Sequence, residues 1–285
     1  VAGTAEEISP AGGRCARLMA GESRTITVWQ DRVPLKVHVK GQGPAVVFFH
    51  GPWGLTWGPF LDALAQSFTV HAPEHPGTTH GQPDVVQHVD NVWDLALCYD
   101  EMLEQLGLPD VTLAGHSFGA MVAAETAATR PSRVRRLVLI DPIGLWRDEA
   151  PVVNWMLLAP TDLPKHVFRD PESAAAKALF TFPTDPEDGA LARTRLIWAM
   201  GATGKFIWPI PDKGLKKRIH RIAATPTLLV WGADDQIVPL AYADEFRQRL
   251  SKARVEVVKN AGHAPDLEQP DATAAVMHAF LKSAS

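Results

Sequence analysis

A serine hydroxyl attacks a carbonyl only when a base takes its proton, and an imidazole serves as that base only when an acid fixes its tautomer. Ser117 has a setting suited to such a role. It stands at the centre of Gly115-His116-Ser117-Phe118-Gly119, a G-x-S-x-G between an apolar run and a small-residue segment containing Ala120, Ala123 and Ala124. Glycines two residues either side permit a sharp strand-to-helix turn, and the alanines keep the following helix slim enough to pack against it. The five residues alone also describe an ordinary turn before a helix. Their placement between strand and helix favours a nucleophile.

Candidate partners follow later in the chain. Asp234 and Asp235 lie in Trp231-Gly232-Ala233-Asp234-Asp235-Gln236-Ile237-Val238-Pro239, just past an apolar run, and His263 lies in Ala261-Gly262-His263-Ala264-Pro265 after the next. Asp141 is a third carboxylate at a strand end. His71, His75, His80, His88, His166, His220 and His278 are scattered, and isolated histidines usually sit at the surface or as satisfied core groups.

Holding these residues together requires a sheet whose strand ends meet. Apolar runs rich in β-branched residues at 45–49, 69–72, 111–114, 134–140, 227–231 and 255–258 alternate with helical patterns at 60–68, 86–106, 120–129, 241–250 and 271–281. That alternation specifies an α/β fold with a mostly parallel central sheet flanked by helices. Residues 24–30 and 34–39, separated by Asp31-Arg32, read as an antiparallel start. Between Pro142 and about Ala224 the rhythm breaks, because Pro151, Pro160, Pro164, Pro171, Pro183, Pro186, Pro209 and Pro211 chop the segment into short helical pieces. The division expected is a core of residues 1–143 and 223–285 with a helical cap inserted at 144–222.

Composition narrows the class. A chain of 285 residues, 46% hydrophobic and 21% charged with a net charge of −4, suits one large soluble core with an insertion and carries no electrostatic footprint for nucleic acid. Cys15 and Cys98 form no metal-ligand or CxxC pattern and read as free thiols of a reducing, cytoplasmic compartment. Val1 to Gly13 lacks signal-peptide character, and no run reaches membrane-span length. No motif implies a metal or cofactor. The partner expected is a small-molecule substrate.

Four blocks in order carry a resemblance to the α/β-hydrolase superfamily, in its single-cap branch of esterases, carbon–carbon bond hydrolases, dehalogenases and epoxide hydrolases. His50-Gly51 resembles the oxyanion-loop signature, Gly115 to Gly119 the nucleophile elbow, Gly232 to Pro239 the acid loop, and Gly262-His263 through Leu267-Glu268-Gln269-Pro270 the histidine loop. The resemblance implies a serine hydrolase with Ser117 as nucleophile, His263 as base and Asp235 as acid. Asp235 holds the third position after the loop glycine, as the family motif has it, which leaves Asp234 as a solvated loop carboxylate. Asp141 occupies the strand end where some lipases keep their acid. Oxyanion donors are expected from the N–H groups of Phe118 and Trp53, because Pro52, which follows the His-Gly, has no N–H.

Ser117 excludes the Asp-nucleophile members and leaves acyl-group hydrolysis through an acyl-enzyme. The cap supplies Trp146, Trp155, Trp198 and Phe206 as candidate substrate-binding residues among a wider aromatic set, which points to an ester or lactone with an apolar or aromatic part. Competing readings are a carbon–carbon hydrolase of vinylogous keto acids, an acyltransferase or perhydrolase, and a ligand receptor on a hydrolase scaffold. The carbon–carbon enzymes usually carry tryptophan after the catalytic histidine, where this chain has Ala264. Lys213, Lys216, Lys217, Arg218 and Arg221 read as a solvated helix face. Arg193 and Arg195 sit on a cap helix within possible reach of a substrate carboxylate.

Overall fold

A computed structural model describes residues 21–283; Cys15 and the segment Val1 to Gly13 lie outside them. Eight strands form one sheet in the order β1-β2-β4-β3-β5-β6-β7-β8. They are β1 (Glu22–Val28), β2 (Val33–Lys40), β3 (Ala45–Phe49), β4 (Thr69–Pro73), β5 (Val111–His116), β6 (Val134–Ile140), β7 (Thr227–Gly232) and β8 (Ala253–Val258). β1 and β2 run antiparallel to their neighbours, and the pairings from β4 through β8 are parallel. The expected α/β fold is therefore the observed one.

The apolar runs are strands because both faces of the central sheet are covered. Along β3, Val47 and Phe49 enter one core layer while Val46 and Phe48 enter the other, the two-residue alternation of a strand. One layer is closed by α1 (Pro59–Ala65) and α10 (Pro270–Lys282) and the other by α2 (Val92–Gln105) and α3 (Phe118–Thr129). α3 is buried all round, with eleven buried residues that are apolar apart from Glu125 and Thr126, as befits a helix enclosed on every side. At the far edge α8 (Ala241–Arg249) packs beside β8, and α9 (Pro265–Glu268) precedes α10.

Between β6 and β7 the described chain makes no strand. It forms α4 (Leu163–Val167), α5 (Ala174–Phe180), α6 (Pro186–Ile207) and α7 (Leu215–Arg218). Two expectations need correction. α6 is 22 residues long rather than a short piece, because Pro186 sits in its first turn, where the missing N–H is harmless, and the next proline comes only at Pro209. The single helix expected over 86–106 is two elements: a 3-10 segment Pro83–His88 and α2, whose start is set by Asn91 accepting from the N–H groups of Trp93 and Asp94.

Among the described residues no helix is long and apolar enough to cross a membrane. The basic run is not a solvated face throughout. Arg218 makes two hydrogen bonds, at 2.7 and 2.6 Å, to fully buried Glu125, and Arg221 donates to the Ala128 carbonyl.

Candidate active site

The carboxyl ends of β5, β7 and β8 bring the three sequence-selected residues together, as open α/β sheets commonly do at their ligand sites. Ser117 adopts φ 53° and ψ −112°, a conformation rare for a residue with a side chain. The turn is held by the Ser117 N–H donating to Ile140 O at 2.8 Å. Its glycines are steric requirements. A Cβ at Gly115 would lie 2.3 Å from the Gly119 carbonyl oxygen, and one at Gly119 would lie 2.0 Å from that of Phe49.

Ser117 Oγ stands 2.8 Å from His263 Nε2, and His263 Nδ1 stands 2.9 Å from Asp235 Oδ2. The other oxygen of Asp235 accepts from the N–H groups of Ile237 at 2.8 Å and Val238 at 2.9 Å, so its carboxylate is anchored on both sides. With Nδ1–H donated to Asp235, the tautomer of His263 leaves Nε2 free to accept from the serine. Ser117 and His263 are both fully buried. Asp234 points elsewhere, pairing with Arg169 at 2.9 Å in a half-exposed position, as a loop carboxylate should.

Asp141 is not the carboxylate hydrogen-bonded to the imidazole, yet it is close by. It is fully buried, its Oδ1 accepts from Gly232 N–H at 2.9 Å, and its Oδ2 has no hydrogen-bond partner among the described residues. Burial, reinforced by the charge of Asp235, pushes the Asp141 carboxyl well above the usual range. Side-chain atoms of His116, Asp141 and His263 lie within 4.8 Å of one another, a spacing that also suits a metal ion. Both ring nitrogens of His263 are already engaged by Ser117 and Asp235.

Several supporting groups were not legible as such. His116 lies under the histidine loop, its Nε2–H donated to the His263 carbonyl at 2.5 Å and its Nδ1 3.8 Å from Asp266. Glu268 accepts from Gly262 N–H at 2.5 Å and from Arg169 N–H at 3.0 Å, tying this loop to the helical segment. His50 braces the loop after β3, donating from Nδ1 to Gly51 O at 2.7 Å and accepting His75 N–H on Nε2 at 3.1 Å. His75 completes the brace, donating to His50 O at 2.9 Å and accepting from the Tyr99 hydroxyl at 2.5 Å. Burial lowers the His50 pKa to about 4 and that of His75 well below the usual value, so both are neutral struts.

Aromatic rings of the helical segment pack on the residues flanking the site. Phe206 of α6 stacks on Phe118 at 6.0 Å, and Trp155 meets Trp53 at 5.4 Å, so two of the four candidate substrate-binding residues adjoin the two candidate oxyanion residues. The N–H groups of Phe118 and Trp53 donate to no backbone carbonyl among the described residues. Trp146 binds Asp148 and shares a small cavity with Trp155. Trp198 is 47% exposed on α6 and is not drawn into this aromatic cluster. Arg193 likewise faces Phe182 rather than the serine.

A cavity of about 160 Å³ lies between α1, α5 and α9, lined by Phe48, Phe60, Leu61, Leu179, Leu267 and Asp266. Asp266 is buried, and its Oδ1 has no hydrogen-bond partner. The cavity abuts the histidine loop.

A family model described as the alpha/beta hydrolase family matches residues 46–276, which spans every element that carries the site. The chain belongs to the alpha/beta hydrolase family. It is 27% identical over 259 residues to the pimeloyl-[acyl-carrier protein] methyl ester esterase of Nitrosomonas europaea, covering 83% of this chain and 95% of the relative. It is 26% identical over 257 residues to an sn-1-specific diacylglycerol lipase of Mus musculus, covering 84% and 81%. A meta-cleavage product hydrolase structure superposes with a TM-score of 0.71 at 21% identity, covering 92% of this chain and 98% of that one, and shows the shared fold. The chain is thus a hydrolase of this family.

Proposed function

We propose that the protein is a serine hydrolase that cleaves carboxylic esters or lactones with an apolar or aromatic part through an acyl-enzyme on Ser117. The observation that carries this is the buried hydrogen-bonded series Ser117–His263–Asp235, at 2.8 and 2.9 Å. In the first half-reaction His263 Nε2 takes the Ser117 proton as Oγ bonds to the substrate carbonyl carbon. The N–H groups of Phe118 and Trp53 receive the developing oxyanion, and the C–O bond to the alcohol breaks as His263 returns the proton to it. Water then repeats the sequence and frees Ser117. Asp235 stabilises the imidazolium in both steps. The helical segment 144–222 acts as the cap, and because Ser117 is fully covered it must part from the core to admit substrate.

Two features favour an ester over a vinylogous keto acid. The cavity beside the histidine loop is apolar apart from Thr56 and buried Asp266, whose carboxylate repels an anionic dienoate, and its volume suits a benzene-sized group. Ala264 supplies no ring to pack on a dienoate. The two curated relatives are named for ester-cleaving activities.

The test is fluorophosphonate labelling followed by kcat/KM for p-nitrophenyl esters of increasing acyl length beside a ring-cleavage dienoate. Labelling is expected at Ser117, and Ser117→Ala should lower ester turnover by roughly 10⁴-fold or more. Specificity should rise with chain length until the pocket is full, each buried methylene contributing about 0.8 kcal/mol. Dienoate turnover above that of every ester overturns the substrate assignment; an active Ser117→Ala protein overturns the nucleophile.

A further inference from the structure

The cavity against the histidine loop is graded in depth. Thr56, Pro59 and Ala178 are exposed at its mouth, whereas Phe48, Phe60 and Leu61 are buried below them. Asp266 belongs to the buried part, at 7% exposure. No described residue donates a hydrogen bond to its carboxylate, and Oδ1 is sealed off without a partner. A buried carboxylate in that condition is costly, because water no longer solvates it fully and the protein offers nothing in exchange. Water in the cavity can serve it in the free protein. A ligand that displaces that water must bring a donor of its own.

The protein's own groups do not supply the donor. The ring facing Asp266 is His116, whose Nδ1 lies 3.8 Å from Oδ1. Its Nε2–H is committed to the His263 carbonyl, which can only accept. Burial lowers the His116 pKa, so the ring is neutral and Nδ1 turns a lone pair, not a proton, towards the carboxylate. Among the described residues no Lys or Arg pairs with Asp266, and Arg169, whose N–H binds Glu268 of the same loop, gives its guanidinium to Asp234 at 2.9 Å. Asp235 and Glu268 are further acids bonded to this loop, at His263 and Gly262. The surplus of acids favours a cation over a neutral donor and disfavours an anion. Phe48 and Phe60, edge to face at 5.5 Å, offer aromatic surface on which a cation or its alkyl groups can rest.

We propose that this cavity binds a cationic amine carried on an apolar stem, with Asp266 as its counter-ion, and that the esters the enzyme prefers bear such a group. The inference rests on the ester-hydrolase reading and narrows it from any apolar part to an amine-bearing one. Volume sets the stem: about 160 Å³ is close to what a benzene ring fills. Position ties the cavity to the reaction. Asp266 follows His263 by three positions and faces His116, the residue before Ser117, so a group held there is next to the reacting side chains. Asp266 selects the substrate in this scheme and takes no part in the proton transfers.

Calorimetric titration at neutral pH with benzylammonium, benzyl alcohol and benzoate reads the cavity directly. Benzylammonium should bind roughly tenfold or more tightly than benzyl alcohol, and benzoate should not bind. Asp266→Asn, which keeps the shape and removes the charge, should bring the amine and the alcohol to equal affinity. Ala178→Trp, at the exposed mouth where the fold tolerates a large side chain, should weaken both by a similar factor. Benzylammonium should also raise KM for a p-nitrophenyl ester and leave kcat unchanged. Equal affinities in the parent, a preference that survives in Asp266→Asn, or inhibition that leaves KM unchanged overturns the proposal. A protein inert towards every ester that still binds benzylammonium through Asp266 defeats the ester reading and supports the amine site; an active esterase with no preference for the amine does the reverse.

Discussion

A histidine is indifferent between two tautomers until its neighbours choose, and here each choice is made by a group that can only donate or only accept. Asp235 accepts from His263 Nδ1, the His263 carbonyl accepts from His116 Nε2, and the Gly51 carbonyl accepts from His50 Nδ1. The two adjacent carboxylates of the acid loop therefore have unequal worth. Asp235→Asn should abolish nearly all turnover, whereas Asp234→Asn, which gives up only a half-exposed pair with Arg169, should leave kcat/KM within about threefold, since exposed pairs contribute little. Steady-state kinetics on both variants decide it. A large loss from Asp234→Asn alone would move the orienting acid by one residue. The elbow serine, the loop histidine and this carboxylate were legible from type and order. The contacts of His75 with His50 and of Asp266 with His116 were not, because each joins residues far apart in sequence whose local patterns are ordinary.

Elements were legible where burial enforces a period. β3 and β6 fall where the apolar runs place them, since a central strand is apolar on both faces and ends where that run ends. Legibility failed where a local cap overrode the period. Apolar residues at Val85, Val86 and Val89 continue the pattern of α2 backwards, but Asn91 takes the first free N–H groups of the helix and stops it there. Removing that cap by Asn91→Ala should destabilise the protein by about 1 kcal/mol, within the usual range for N-caps. Asn91→Asp, which keeps the acceptor, should be near neutral. Equilibrium urea denaturation of the three proteins measures the difference, and an equal loss in both variants would assign the effect to something other than the cap. The same reasoning accounts for α6: Pro186 does not break the helix, because it lies in the first turn, where a helix accepts it.

The whole molecule stores several histidines in neutral form, and this sets how its stability depends on pH. Burial lowers the pKa of His50 and of His71 to about 4, that of His75 well below the usual value, and that of His116 in the same direction. In the unfolded chain these side chains bind protons below about pH 6.5, so between that value and about 4 the unfolded state holds protons that the folded state refuses. Each such proton lowers stability by about 1.4 kcal/mol per pH unit as the solution is acidified. Asp141, Glu125 and Glu268 act in the opposite sense. Burial raises their carboxyls, the folded state retains protons that the unfolded state has released, and their contribution is lost as pH rises. The histidines dominate below pH 6.5 because all four would have to be charged. Above it they are neutral in both states and no longer respond. Stability should therefore fall by on the order of a few kcal/mol between pH 6.5 and 5. Melting temperatures across that range measure the curve, and His71→Gln, which removes one buried titrating group away from Ser117, should flatten its acid limb. A melting temperature that rises on acidification from pH 6.5 to 5 would mean that the carboxyls, not the histidines, control the fold's response to protons.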